Sequence, residues 1–178
     1  MNLNRIMENQ NKFAYREGSI KDKAQLKELG IISYGQYSDI LVKEHWQTLN
    51  GFLHDEDKLV DLINKSKFFV CLDKDEIIGM AYIVPSGNPW DIFKAEWSYI
   101  RMVGVNPKYQ GHGIAKALTA MCINYAKQTN ETTIALHTSE FMDAARHIYE
   151  KLGFKMLQEI EPRFGKKYWL YTLVLQLK

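Results

Sequence analysis

Cysteine is scarce: Cys71 and Cys122 are the only two in 178 residues, far apart and with no CxxC pair. That excludes a disulfide framework or a cysteine-rich metal site as the basis of the fold. Both thiols are expected to be buried packing residues. Long apolar runs are missing as well. No window nears the ~18 continuous apolar residues of a membrane-spanning helix, so no membrane partner is expected. Residues 1–12 lack the apolar core of a secretory signal, and the expected location is the reducing cytoplasm. No repeat or low-complexity stretch stands out. Neither sign of charge is in large excess, with a formal net charge of +2. This argues against a nucleic-acid partner and against an acidic solvating tail. The five histidines, His45, His54, His112, His137 and His147, show no HExxH or comparable spacing, so no metal is expected.

What remains is the composition of an ordinary globular protein, 46% hydrophobic and 25% charged. A chain of this length buries roughly 70% of its unfolded surface without staples. One domain over 1–178 is expected, with a core of about 13–177 and a flexible 1–12.

The apolar periodicity changes along the chain. Strand character at 13–19 gives way to helical spacing at 20–34, then to two helical pieces at 39–51 and 55–65. Acids crowd the first turn of the last piece, as the helix dipole favours. Short aromatic and β-branched runs at 68–72 and 77–84 flank the polar turn Asp73-Lys74-Asp75-Glu76, a hairpin signal. Gly79 within the second run suggests a bulge. After a loop at 85–89 come a strand at 95–105, a helix at 113–128 and a strand at 132–138. A helix at 142–152 is stopped by Gly153. Strands at 154–160 and 168–177 close the chain around a loop at 162–167. This β-α-α-α-β-β-β-α-β-α-β-β order predicts a mixed α/β sheet with helices on its faces.

The most informative stretch runs Val103-Gly-Val-Asn-Pro-Lys-Tyr-Gln-Gly-His-Gly-Ile-Ala115: a strand, a Gly-rich turn and a helix start. Helices normally begin with Ser, Thr, Asp or Asn and acids in the first turn. Here Gln110, Gly111, His112, Gly113, Ile114, Ala115 and Lys116 offer no usual capping oxygen, and no acid follows until Glu131. Exposed N–H groups, the positive dipole end and a nearby lysine describe a site for an anion such as a pyrophosphate. A water-capped turn is the plainer alternative. Neither the GxxxxGK[ST] loop nor a complete GxGxxG is present.

Gln110-Gly-His-Gly-Ile-Ala115 resembles the Q/R-x-x-G-x-G/A signature of the GNAT N-acetyltransferase superfamily. The preceding Val103-x-Val105-x-Pro107 resembles the strand leading into it. About thirty residues on, Ala145-Arg-His-Ile-Tyr149-Glu-Lys-Leu-Gly153-Phe154 resembles the family's A-x-x-x-Y-E-K-L-G-F motif. The resemblance implies a mostly antiparallel sheet of six to seven strands with one splayed parallel pair, here 95–105 and 132–138. It implies acetyl-CoA as co-substrate, its pantetheine arm along Val103 and Val105 and its pyrophosphate on Gln110 to Ala115, with Lys116 adjacent. It further implies direct acetyl transfer to a primary amine of a small molecule or peptide by a monomer or homodimer. A non-catalytic acyl-CoA-binding module on the same fold is the alternative.

By the same resemblance, the Val103 backbone N–H is the oxyanion donor and Tyr149 the general acid. The family's frequent base glutamate is absent, its position being held by Tyr99. Glu96, on the opposite strand face by alternation, Tyr99 acting through a water, and bulk water acting on the neutral fraction of the amine all stay open as the base. Many relatives also place a cofactor-binding asparagine where Met142 stands here. Ser139 or Thr138 is the candidate substitute, with a helix N-cap as the plainer role for Ser139. Residues 101–130 carry Arg101, Lys108, Lys116 and Lys127 and no acid, which suits a phosphorylated cofactor. Residues 50–80 carry seven acids against four lysines. They are either solvated surface or an attraction for a cationic amine. Trp46, Phe52, Trp90, Trp97 and Tyr99 are available as acceptor walls or as core.

Overall fold

The computed structural model describes residues 12–176; the expectation for 1–12 falls almost wholly outside it. In chain order the elements are β1 (Ala14–Glu17), a 3-10 turn (Ile20–Asp22), α1 (Lys23–Gly35), α2 (Lys43–His54), α3 (Glu56–Lys65), β2 (Lys67–Asp73), β3 (Glu76–Val84), β4 (Ser98–Val105), a second 3-10 turn (Pro107–Tyr109), α4 (Ile114–Gln128), β5 (Thr133–Ser139), α5 (Asp143–Lys151), β6 (Lys155–Arg163) and β7 (Lys166–Val174). The strands form one seven-stranded sheet in the order β1-β2-β3-β4-β5-β7-β6. Every neighbouring pair is antiparallel except β4 and β5.

Apolar residues alternate between two cores. Ile78, Ile83, Ile100, Ile134 and Leu136 pack under α4, with Leu118 and Cys122. Met80, Tyr82, Tyr99 and Ala135 face the other way, toward Leu26 and Leu29 of α1 and Leu62 and Ile63 of α3. Alternation within one strand thus feeds both layers. Cys71 and Cys122 are free and buried.

Three boundaries depart from expectation. First, α2 starts later and runs through Gly51 to His54, because Leu49 and Leu53 must both reach their buried positions. Asp55 then caps α3, its Oδ1 accepting from the Lys58 N–H at 3.2 Å. Second, β4 begins at Ser98 rather than residue 95, since the Trp97 N–H bonds back to the Lys94 carbonyl in a turn. Third, the closing loop is a two-residue turn: Arg163 pairs with Lys166, and Phe164 and Gly165 both have positive φ (52° and 70°). Two left-handed residues match the strand twist and close a hairpin tightly. β6 is an edge strand and so tolerates Pro162.

The extra residue of the β2–β3 register shift is Ile78, next to Gly79. Gly79 itself answers to packing. A Cβ there would lie 2.6 Å from Ile114 Cγ2 and 3.0 Å from Leu118 Cδ1, so α4 sits directly on the β3 backbone. Gly79→Ala is expected to lower the thermal midpoint by roughly 3–10 °C, the effect of about 1–3 kcal/mol of overpacking in a domain of this size. An unchanged midpoint in a calorimetric scan would show that α4 is free to shift.

Candidate active site

β4 and β5 separate in the middle of the sheet. They pair only at Ser98–Ile134 and Tyr99–Ala135. Beyond that point β4 stays with β3 and β5 with β7. Two inner strand edges face one another unpaired, and an extended amide-bearing ligand can fill such a gap by joining the ladder. The β4 edge is also bent. Met102 and Val103 together lie opposite Ala81, between the pairs Tyr82–Arg101 and Met80–Gly104. Met102 has φ 50°. A non-glycine residue held there stores about 1–3 kcal/mol of strain, a hallmark of sites where backbone must be aimed. Val103 and Val105 turn toward the α4 core.

At the C-terminal end of β4 the chain enters the Gly-rich turn. Gly111 and Gly113 have φ 81° and 75°, and no side chain caps α4. Among the described residues, no hydrogen-bond acceptor is found for the N–H groups of Gly111, His112, Gly113, Ile114, Ala115 or Lys116. Six successive donors without partners at a helix start form an anion cradle. The turn is braced from outside. The Tyr109 hydroxyl donates to Asp73 at 2.9 Å, and the Gln110 amide donates to Gln36 at 3.2 Å. The His112 ring stacks on Phe13 with centroids 5.6 Å apart.

Tyr149, only 7% exposed, belongs to the α4 side of the sheet. Burial pushes its pKa well above that of an ordinary phenol, reinforced by Tyr37 and Cys122. Tyr34, raised chiefly by its own burial, also feels Tyr149. Yet Tyr34 and Tyr37 pack with α2 residues in a third cluster, with Leu41, Leu49 and Leu53. Tyr149, on the α4 side, is thus close enough for its charge to act on tyrosines of that cluster.

The remaining candidates separate. Glu96 is exposed, in the turn before β4, so the strand-alternation argument does not apply to it. Ser98 to Val103 alone spans roughly 16 Å of extended chain, which keeps Glu96 apart from Val103. Tyr99 is buried, with Phe93 stacked on it at 4.4 Å and Trp90 at 6.4 Å. Burial raises its pKa, so its phenol stays neutral. Ser139 does not cap α5: Met142 holds that position, and the Ser139 hydroxyl donates to the Lys167 carbonyl at 2.7 Å. The neighbouring Thr138 Oγ1 is buried with no partner among the described residues, the better-placed of the two for a ligand.

Trp90 and Tyr99, two of the aromatics the sequence offered as acceptor walls, belong to a longer run of rings. Rings run from Trp90, Tyr99 and Phe93 through His137, Tyr168 and Phe141 to Tyr37, lining the face away from α4. Burial, then Arg163 and Arg101, lower the His137 pKa to about 4, so the ring is neutral at physiological pH. Arg101 lies in this lining too, its guanidinium 3.9 Å above Trp90. The acids of 50–80 are largely taken up elsewhere: Asp55 in a cap, Glu56 with Lys23 and Lys27, Asp61 with Lys65, and Asp73 with Tyr109. Asp57, Asp75 and Glu76 have no such partner among the described residues. Among the described residues no group of three or more metal-ligating side chains occurs, and no helix is long and apolar enough to cross a membrane.

Comparisons with known proteins agree with this geometry. The profile of the acetyltransferase (GNAT) family matches residues 34–154. An N-acetylaspartate synthetase from Xenopus tropicalis is 31% identical over 96 residues, 54% of this chain and 33% of that protein. A mycothiol acetyltransferase from Amycolatopsis mediterranei is 28% identical over 142 residues, 74% of this chain and 47% of that protein. This chain thus spans between a third and a half of the length of these two relatives. Among solved structures, the PaiA N-acetyltransferase of Thermoplasma acidophilum in complex with coenzyme A superposes with a TM-score of 0.74 at 18% identity. That match covers 92% of this chain and 99% of the other.

Proposed function

Because this chain belongs to the acetyltransferase (GNAT) family, we propose that it transfers an acetyl group from acetyl-CoA directly to a primary amine of a small molecule or peptide. The observation that carries this is the junction of the splayed β4–β5 gap, the strained bulge at Met102–Val103 and the uncapped α4 start.

The residues fit coenzyme A. The orphan N–H groups from Gly111 to Lys116 suit its pyrophosphate, with the Lys116 side chain adjacent. The edges at Val103 and Val105 suit its amide-bearing arm, and the orphaned Thr138 hydroxyl awaits a polar partner. Acetyl-CoA supplies the thioester that activates the acetyl group. The Val103 N–H meets the negative charge that develops on the acetyl oxygen, and a preorganised donor of this kind contributes ~3 kcal/mol. Tyr149, holding its proton tightly, donates it to the departing sulfur. Tyr99, a neutral phenol, can take part in removing the amine proton only by relaying it through water, and Glu96, exposed in the turn before β4, stays open beside it as the base. Two free, buried thiols suit a cytoplasmic setting.

The test measures both binding and turnover. Acetyl-CoA is expected to raise the thermal midpoint, and a panel of amines is expected to include acceptors that release free CoA thiol. A thermal shift with no thiol release from any amine would instead indicate a binding module. No shift at all would sink both readings.

A further inference from the structure

We propose that the amine acceptor carries a carboxylate, anchored by the Arg101 guanidinium beside the ring cluster on the sheet face opposite α4; this rests on the acetyltransferase reading above. Arg101 is two residues before Val103 on β4. It pairs with Tyr82 across the strands and so shares the face that looks toward α1 and α3. Its guanidinium stacks 3.9 Å over Trp90 and lies 5.9 Å from Phe52 of α2. Rings hold its flat surfaces and leave its edge, with the N–H donors, to face a ligand.

That edge has no partner among the described residues: no hydrogen bond and no carboxylate within salt-bridge distance is found for Arg101. Two acids are near enough to act on it, Asp61 and Asp91. Both are already paired, Asp61 with Lys65 at 2.9 Å and Asp91 with Arg163. Arg101 is therefore the surplus positive charge beside these rings. Arg163, at the end of the β6–β7 hairpin, adds a buried Nε with no partner among the described residues, and both arginines act on His137. A half-buried guanidinium without a counter-ion is costly, and a carboxylate relieves that cost through two parallel N–H···O bonds. A second ammonium on the acceptor would be repelled. An amino-acid-like acceptor, with amine and carboxylate on one small frame, meets both requirements.

The experiment uses wild type, Arg101→Gln and Arg101→Lys. The probes are alanine, aspartate, glutamate and phenylalanine, their α-carboxamides, and the diamine putrescine. Thiol release is followed with acetyl-CoA, and binding by calorimetry on protein saturated with CoA. In wild type, at least one free amino acid should surpass its amide about tenfold or more in kcat/KM and in affinity. Arg101→Gln should abolish that preference through the acceptor KM, leaving the acetyl-CoA KM in place, and Arg101→Lys should restore part of it. Amides or putrescine equal to the free acids in wild type would overturn the proposal. So would an Arg101→Gln defect shared equally by charged and uncharged probes. If calorimetry shows the carboxylate preference and its loss in Arg101→Gln while no probe releases thiol, the anchor stands and the acetyltransferase reading falls.

Discussion

Tyr149→Phe is expected to lower kcat about 100- to 1,000-fold while leaving the acetyl-CoA KM within a factor of two or so, the range for loss of a positioned acid. The residue is well suited to so clean a test. Its ring meets Phe154 edge-on at 6.0 Å and is otherwise buried in the α4 core, and phenylalanine keeps those contacts. Only the hydroxyl is lost. Because burial and then Tyr37 and Cys122 hold the proton above the ordinary phenol range, the acid form persists through neutral and moderately alkaline pH. The rate should therefore rise with pH as the amine loses its proton, with no alkaline fall from Tyr149 below pH ~10. Single-turnover thiol release across pH 6–10 measures both features. A Tyr149→Phe protein with full turnover would remove this residue from the chemistry.

Gly113→Asp is expected to raise the acetyl-CoA KM about 100-fold or to abolish the thermal shift produced by CoA. At this position φ is 75°, and a Cβ would meet nothing within 4 Å. A side chain therefore has room, at a cost of roughly 1–2 kcal/mol for the left-handed backbone. What changes is the charge beside six unpartnered N–H groups. A carboxylate there would occupy or repel the ground meant for phosphate. Gly113→Ala carries the same strain without the charge and separates the two effects: its KM should rise far less. Equal KM values for the two variants, measured at low and high salt, would mean that strain rather than charge governs the turn.

Both of these sites were legible in the chain itself. The uncapped helix start is a local statement, written in Gln110 to Lys116 by the absence of capping oxygens and acids, and the φ values of Gly111 and Gly113 agree with it. Tyr149 was marked by the motif around it. Periodicity also placed every strand and helix, missing mainly at ends where a turn at Lys94–Trp97 or a two-residue hairpin at Phe164–Gly165 decided the boundary. Glu96 shows the limit. Strand alternation set it on the face opposite Tyr99, and that argument depended on where β4 begins.

The sequence by itself determined the order of elements, the two-sided core, the uncapped glycine turn and the tyrosine on α5, because each is set by residues close together in the chain. Only the tertiary structure decided that β4 and β5 part after two residue pairs, that Met102 takes a left-handed φ opposite Ala81, and that Arg101 is left without an acid when Asp61 and Asp91 take other partners. These features join strands and side chains tens of residues apart. Their geometry follows from which partners the whole fold brings together, and no local pattern carries that information.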